Sequence, residues 1–247
     1  MDIENIEQGT LPAHIKAVVA LTSWKKRINT VGLTIFNLKC VCGRDFHIVL
    51  TLAEEEFPGK ESELPEDLML MNKAEVFEIL WCKRNSRAFK KILYAMQKYR
   101  TIPIISADDD SIYRFNYANE LYRQWLRHKN ARICYWCSDI LGNGSAINTS
   151  GYATLHPPFF YGECLHLLTN KVVSMNEDDL FYAAYSMVLH KTKVVCLDKS
   201  YFDVVVPHDE VQPLHDLYRK NKNLCRFSTM LYAVRTAMQL SKNQAAA

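Results

Sequence analysis

No run in this 247-residue chain approaches eighteen apolar residues, so no helix is expected to span a bilayer. The opening segment, MDIENIEQGTLPAH, is polar and acidic and has no apolar stretch of the kind a secretory signal needs. A cytoplasmic protein is therefore expected. Glycine and proline are sparse, at 8 each, which excludes collagen-like and low-complexity chains. Charge of one sign is lacking too: the net value is +3, and the basic clusters are short. The best of them are Lys25, Lys26, Arg27 and Lys83, Arg84, Arg87, Lys90, Lys91. Nucleic-acid binding would need a stripe or patch, so no nucleic-acid partner is expected. Internal repeats and long linkers are missing as well.

The eight cysteines do not spell out a metal site. Cys40 and Cys42 form one close pair and Cys134 and Cys137 another, more than ninety positions further on. The second pair lies in an aromatic, strand-like run, ICYWC, so buried reduced thiols are expected in preference to zinc ligands.

What is present is a succession of buried-strand and amphipathic-helix patterns. AVVALT (17–22) reads as a strand, followed by a basic turn, SWKKR. Val31, Thr34, Ile35 and Leu38 then fall at helical spacing. FHIVLTL (46–52) is a second strand, the breaker-rich AEEEFPGKESELPEDL a loop, and AEVFEILWC (74–82) a third strand. AFKKILYAMQKY (88–99) is an amphipathic helix and IPIIS (102–106) a fourth strand. Further on, 117–128 reads as a helix, 131–137 as a strand, 141–160 as a loop, 176–190 as a helix opened by acids, and 193–197 as a strand. The order predicts one α/β domain with a mostly parallel sheet. In such sheets ligands bind beyond the carboxyl ends of the strands, which puts the basic turn and the segment after 106 on one edge.

That segment is Asp108-Asp109-Asp110. Three adjacent carboxylates repel one another, and nearby sequence holds no cation to relieve them. On an extended segment, Asp108 and Asp110 project to one side and Asp109 to the other. Asp108 and Asp110 could then share Mg²⁺ or Mn²⁺, hard ions that take oxygen ligands and keep positions open for phosphate. Capping or plain solvation of the aspartates is the alternative.

With VVALTSWKKRINTVGLTIFNL, LAEEEFP and LPEDL, ILWC with AFKKI, ISADDDSIY and NEDDLF in this order, the chain resembles bacterial glycosyltransferases of the GT-A fold. The group in question is the family-2-like enzymes that build lipopolysaccharide and capsular glycans, and the resemblance covers about 17–200. It implies a Rossmann-like mixed sheet flanked by helices, with a helical C-terminal tail. The implied organisation is an N-terminal extension over 1–16 and a single domain over 17–210, followed by a tail over 211–247. The domain would divide into a nucleotide-binding half (17–113) and an acceptor-binding half (114–210).

The resemblance implies a nucleotide-sugar donor, a glycan or lipid-linked acceptor, and Mn²⁺ or Mg²⁺ as cofactor. Asp108 and Asp110 match the D-x-D motif that holds the metal, and one aspartate of the trio, Asp109 included, would reach the donor. Thr22, Ser23 and Arg27 would grip the nucleotide, Glu54 its base, and Lys90 its phosphates. Asp178, with Asp179 next to it, matches the acidic motif that supplies the general base of an inverting transferase. His208 would be a further metal ligand. The loop TSGYATLHPPFF keeps Pro157 and Pro158 but little of the glycine expected there, which leaves the acceptor open. An enzyme of this kind could associate peripherally with the inner face of the plasma membrane. Competing readings are a haloacid-dehalogenase-like phosphatase, with Asp108 as nucleophile, and a non-catalytic nucleotide- or glycan-binding protein of the same fold. The phosphatase motif normally opens its chain, whereas about a hundred residues precede Asp108.

Overall fold

The structure is a computed structural model that describes residues 6–137, 153–158, 172–173, 178–190, 193–197, 202–205, 229–232 and 234–236. Its elements, in chain order, begin with β1 (Ala17–Thr22), α1 (Val31–Cys42), β2 (Phe46–Ala53), α2 (Glu66–Lys73), β3 (Glu78–Cys82), α3 (Lys90–Lys98) and β4 (Ile104–Ser106). They continue with β5 (Ser111–Tyr113), α4 (Tyr117–Arg127), β6 (Arg132–Cys134), β7 (Thr154–His156), α5 (Asp178–Tyr185), β8 (Val194–Cys196) and β9 (Phe202–Val205).

Seven strands form one sheet in the order β3-β2-β1-β4-β7-β6-β8, and β5 pairs with β9 in a second, two-stranded sheet. The β3-β2-β1-β4 portion is parallel. β7 runs antiparallel to both β4 and β6, and β8 returns parallel to β6. The sheet is thus mixed, with one antiparallel strand inserted in its middle.

β1 owes its central place to composition. Ala17 through Leu21 are fully buried, and alternate residues face opposite cores. Val18 and Ala20 join the side built by Ile92, Leu93 and Ala95 of α3 and Leu180 and Phe181 of α5. Ala17, Val19 and Leu21 join the side built by Val31, Ile35 and Leu38 of α1 and Leu121 and Trp125 of α4.

The expected strands and helices over 17–52 and 88–106 are present within a few residues. Three features depart from expectation. The breaker-rich segment is not all loop: α2 starts in its last three residues, after Pro65 and with Glu66 and Asp67 in the first turn, and only Leu68 of α2 is buried. The third strand begins at Glu78 rather than at 74, after a turn with Glu75 at positive φ. The loop expected over 141–160 contains β7, whose register comes from its neighbours: Thr154 N–H donates to Ser106 Oγ at 3.1 Å. The helical tail over 211–247 is described only at 229–232 and 234–236, which are helical.

Glu78, on the edge strand β3, locks that strand to α3. It accepts from Lys98 Nζ at 2.6 Å and from the Tyr99 hydroxyl, and it lies 2.7 Å from His47 Nε2. Burial alone would raise its pKa, but these three donors outweigh burial and hold it at about 2. A depressed carboxylate stabilises the fold above its unfolded pKa, near 4.5, and the gain is lost as pH falls toward 2. Glu78→Gln is expected to lower stability at pH 7 by on the order of 2 kcal/mol. Urea unfolding of both proteins should show that gap closing between pH 4.5 and 2; a gap independent of pH would contradict the assignment.

Candidate active site at the sheet switch point

The chain leaves β1 toward β2 and β3 on one side, then returns to place β4 on the other. The carboxyl ends of β1 and β4 therefore flank a topological switch point, where open α/β sheets form their ligand crevices. The basic turn with Ser23 and Arg27 follows β1, and the three aspartates follow β4.

The aspartates do not lie on an extended segment, as the sequence reading assumed. Asp109 and Asp110 occupy a turn between β4 and β5. Asp108 and Asp110 remain partly open, each with a side chain 21% exposed, while Asp109 is 2% exposed and turned inward. Side chains from α1 fix this turn. Thr34 Oγ1 donates to Asp109 O at 3.1 Å, and Asn37 exchanges bonds with the Tyr113 backbone at 2.7 and 3.2 Å. Asp108 N–H donates to the Tyr113 hydroxyl at 2.6 Å, and the Tyr113 ring stacks on Tyr117 with centroids 4.5 Å apart.

The sequence near the aspartates holds no cation, but the fold supplies two from elsewhere. Arg27 reaches Asp109 at 2.6 Å and Asp110 at 2.8 Å, and Lys91 reaches Asp108 at 2.7 Å. Ser23 Oγ completes the Asp109 contacts at 2.6 Å. Burial, with Asp110 and Asp108 nearby, outweighs Arg27 and Ser23 and pushes the Asp109 pKa up to about 6.

Lys91 is the residue sequence reasoning missed. Lys90 was the expected phosphate contact, but its ammonium points to Glu56 at 3.2 Å and Asn85 at 3.0 Å. One residue along a helix turns the side chain by about 100°, and Lys91 faces the aspartates instead. Burial would strip its charge, yet the carboxylates of Asp108, Asp178 and Asp179 hold its pKa well above the ordinary value. Lys91 thus links the two acidic blocks of the sequence electrostatically. Asp178 and Asp179 open α5, Asp178 buried and Asp179 half-buried, and burial raises the pKa of both. No pattern in the sequence separates Lys91 from Lys90; the apolar stripe of α3 fixes only the helix, not which lysine the switch point receives.

The remaining expected residues are more dispersed. Thr22 donates to Thr51 O at 2.7 Å across the β1–β2 pair. Glu54, just beyond β2, pairs with Lys60 at 2.9 Å. Glu177, which precedes Asp178 in NEDDLF, lies outside the described residues, as do His208 and most of 141–160.

Asp108 and Asp110 could hold a hard divalent cation: two partly open carboxylates on either side of Asp109 would supply oxygen donors and leave most positions for phosphate and water. Arg27 and Lys91 would share those carboxylates with the ion.

This arrangement on a mixed seven-stranded sheet flanked by helices is the GT-A fold. The sequence matches no protein-family profile and no curated protein. Among solved structures, it is similar to M. tuberculosis glucosyl-3-phosphoglycerate synthase with TM-score 0.50 and 12% identity, over 86% of this chain and 79% of that one. The same synthase in complex with UDP gives TM-score 0.50 and 11% identity, over 89% and 80% of the two chains. S. aureus TarS gives TM-score 0.50 and 10% identity; 78% of this chain is covered, but it spans only 37% of the TarS chain. At such identities the likeness establishes the fold.

Proposed function

We propose that the chain is a glycosyltransferase that moves a sugar from a nucleotide-sugar donor to a glycan or lipid-linked acceptor with inversion. The observation that carries this reading is the meeting, at the switch point, of the Arg27 turn and the aspartate turn, with Lys91 paired to Asp108 at 2.7 Å and held charged also by the acids that open α5. The UDP held by the structurally similar synthase supports a nucleoside diphosphate as the leaving group. A hexose is the expected sugar, and surface glycans of the lipopolysaccharide or capsular type are the expected products. No helix among the described residues is long and apolar enough to cross a membrane. A lipid-linked acceptor would be met peripherally, at the inner face of the plasma membrane.

Each group has a role that its position supports. Asp108 and Asp110 would hold Mn²⁺ or Mg²⁺, which when bound neutralises charge on the departing diphosphate. Arg27, two of whose contacts are the aspartates themselves, faces the same charge and orients the diphosphate oxygens. Asp109 holds Ser23 and Arg27 in place from beneath. Asp178 takes the proton from the acceptor hydroxyl, with Asp179 beside it. Its raised pKa brings a carboxylate closer to the range in which a base works efficiently at neutral pH. Thr22 and Glu54 would line the nucleoside side of the crevice, Lys90 would support it through Glu56, and His208 would be a further ligand of the ion.

Thermal-shift screening of UDP-, GDP-, dTDP- and CMP-sugars, with and without Mn²⁺, tests the donor assignment. One nucleotide class is expected to raise the melting temperature only with Mn²⁺, and Asp110→Ala is expected to abolish that metal-dependent shift. No shift with any nucleotide would remove the donor site. Phosphate release from small phosphomonoesters, lost in Asp108→Asn, would instead favour the phosphatase.

A further inference from the structure

Three cysteines that sequence spacing assigns to no site come together at the far end of the sheet. Cys134 on β6 is the register partner of Cys196 on β8, so their side chains leave the same face of two parallel strands. Cys137, three positions beyond Cys134, folds back onto them. The three sulfurs lie within 4.8 Å of one another. Cys134 is buried as expected, whereas Cys137 and Cys196 are half-buried and Cys40 is exposed, which departs from the expectation of buried thiols. No disulfide joins these residues in the structure. The sulfurs' backbone contacts are long: Cys134 Sγ to Val195 O at 3.8 Å and Cys196 Sγ to Tyr135 O at 3.7 Å.

We propose that Cys134, Cys137 and Cys196 form a binding site for a thiophilic divalent cation, Zn²⁺ in the first instance, with the fourth position taken by water. Sulfurs around tetrahedral zinc, each about 2.3 Å from the ion, lie about 3.8 Å apart. Closing 4.8 Å to that distance needs only small side-chain rotations, because β6–β8 pairing already fixes two of the three backbones. The sequence expectation against zinc rested on the distance between the two cysteine pairs and on the aromatic, strand-like run around the second. Neither Cys40 nor Cys42 is needed: the third ligand comes from the neighbouring strand. Among the described strands β8 is the edge opposite β3, and the ion would fasten it to β6. Such an ion binds sulfur at the sheet edge and is separate in chemistry from a hard cation on Asp108 and Asp110.

The test uses the full chain, reduced, stripped of metal and titrated with Co²⁺ and then Zn²⁺. One Co²⁺ per chain is expected to bring up a thiolate-to-metal charge-transfer band, which Zn²⁺ displaces. Cys137→Ser and Cys196→Ser are expected to weaken binding by more than about tenfold, and Cys40→Ser to leave it unchanged. A second measurement avoids variants that fold poorly: in the unmodified protein, Zn²⁺ should protect Cys137 and Cys196 from alkylation while Cys40 still reacts. Absence of the band, a band that survives in both serine variants, or alkylation indifferent to Zn²⁺ would overturn the proposal. So would an intact mass showing that Cys134 and Cys196 pair as a disulfide that takes up no metal.

Discussion

Replacing Lys91 with methionine is expected to destabilise the protein by about 3–5 kcal/mol and to abolish transfer activity. Lys91 is 10% exposed, ion-paired to Asp108 at 2.7 Å, and shares its charge with Asp178 and Asp179. Methionine fills similar volume, so packing loss is small and the cost is electrostatic. Removing one partner of a buried ion pair leaves the others uncompensated, which is the costly way to break it. Carboxylates that lose their cation must take up protons or take another cation. Mn²⁺ should therefore raise the melting temperature of Lys91→Met more than that of the wild type, since the ion stands in for the missing ammonium. Lys90→Met, one residue away, should not show this enhanced response, because Lys90 serves Glu56 and Asn85. Equal Mn²⁺ responses in the two variants would show that Lys91 does not join the acidic blocks.

The second large effect is expected at α5. Asp178→Asn keeps the shape of the side chain and removes its capacity to accept a proton. Loss of a general base typically costs about 10²–10⁴-fold in rate. Transfer should fall by that much while nucleotide binding with Mn²⁺ persists, because Asp108 and Asp110 are untouched. The same change would relieve the mutual repulsion between two buried acids, so the variant should be at least as stable as the wild type. Comparing transfer rate with donor affinity in one preparation separates these effects. Unimpaired transfer in Asp178→Asn, with loss in Asp179→Asn, would move the base by one residue.

How much of this was legible follows from how each element is specified. β1, α1, β2, α3 and β4 carry their own signal, either a nearly continuous apolar run or helical periodicity. α2, β7 and the β5–β9 pair do not. α2 buries only Leu68, and β7 is three residues whose pairing is dictated by β4 and β6. Their existence depends on partners that a linear reading does not see. In the site, the strand ends were legible, and so the switch point brought Arg27 to the aspartates as expected of that edge. The exact cation opposite Asp108 was not, since Lys90 and Lys91 have the same chemistry and differ only in helix phase. The cysteine trio was hidden for a third reason: its closing member arrives through a strand pairing across 62 positions, Cys134 to Cys196.

The central claim is that a divalent ion and a nucleoside diphosphate meet at the turn after β4. Crystals grown with Mn²⁺ and UDP, measured for anomalous scattering from manganese, test it most directly. The account predicts an anomalous peak within about 2.5 Å of carboxylate oxygens of Asp108 and Asp110, bridged to the diphosphate, with Arg27 still against Asp109. A manganese peak seated instead at Asp178 and Asp179, or a diphosphate bound away from the Arg27 turn, would contradict it.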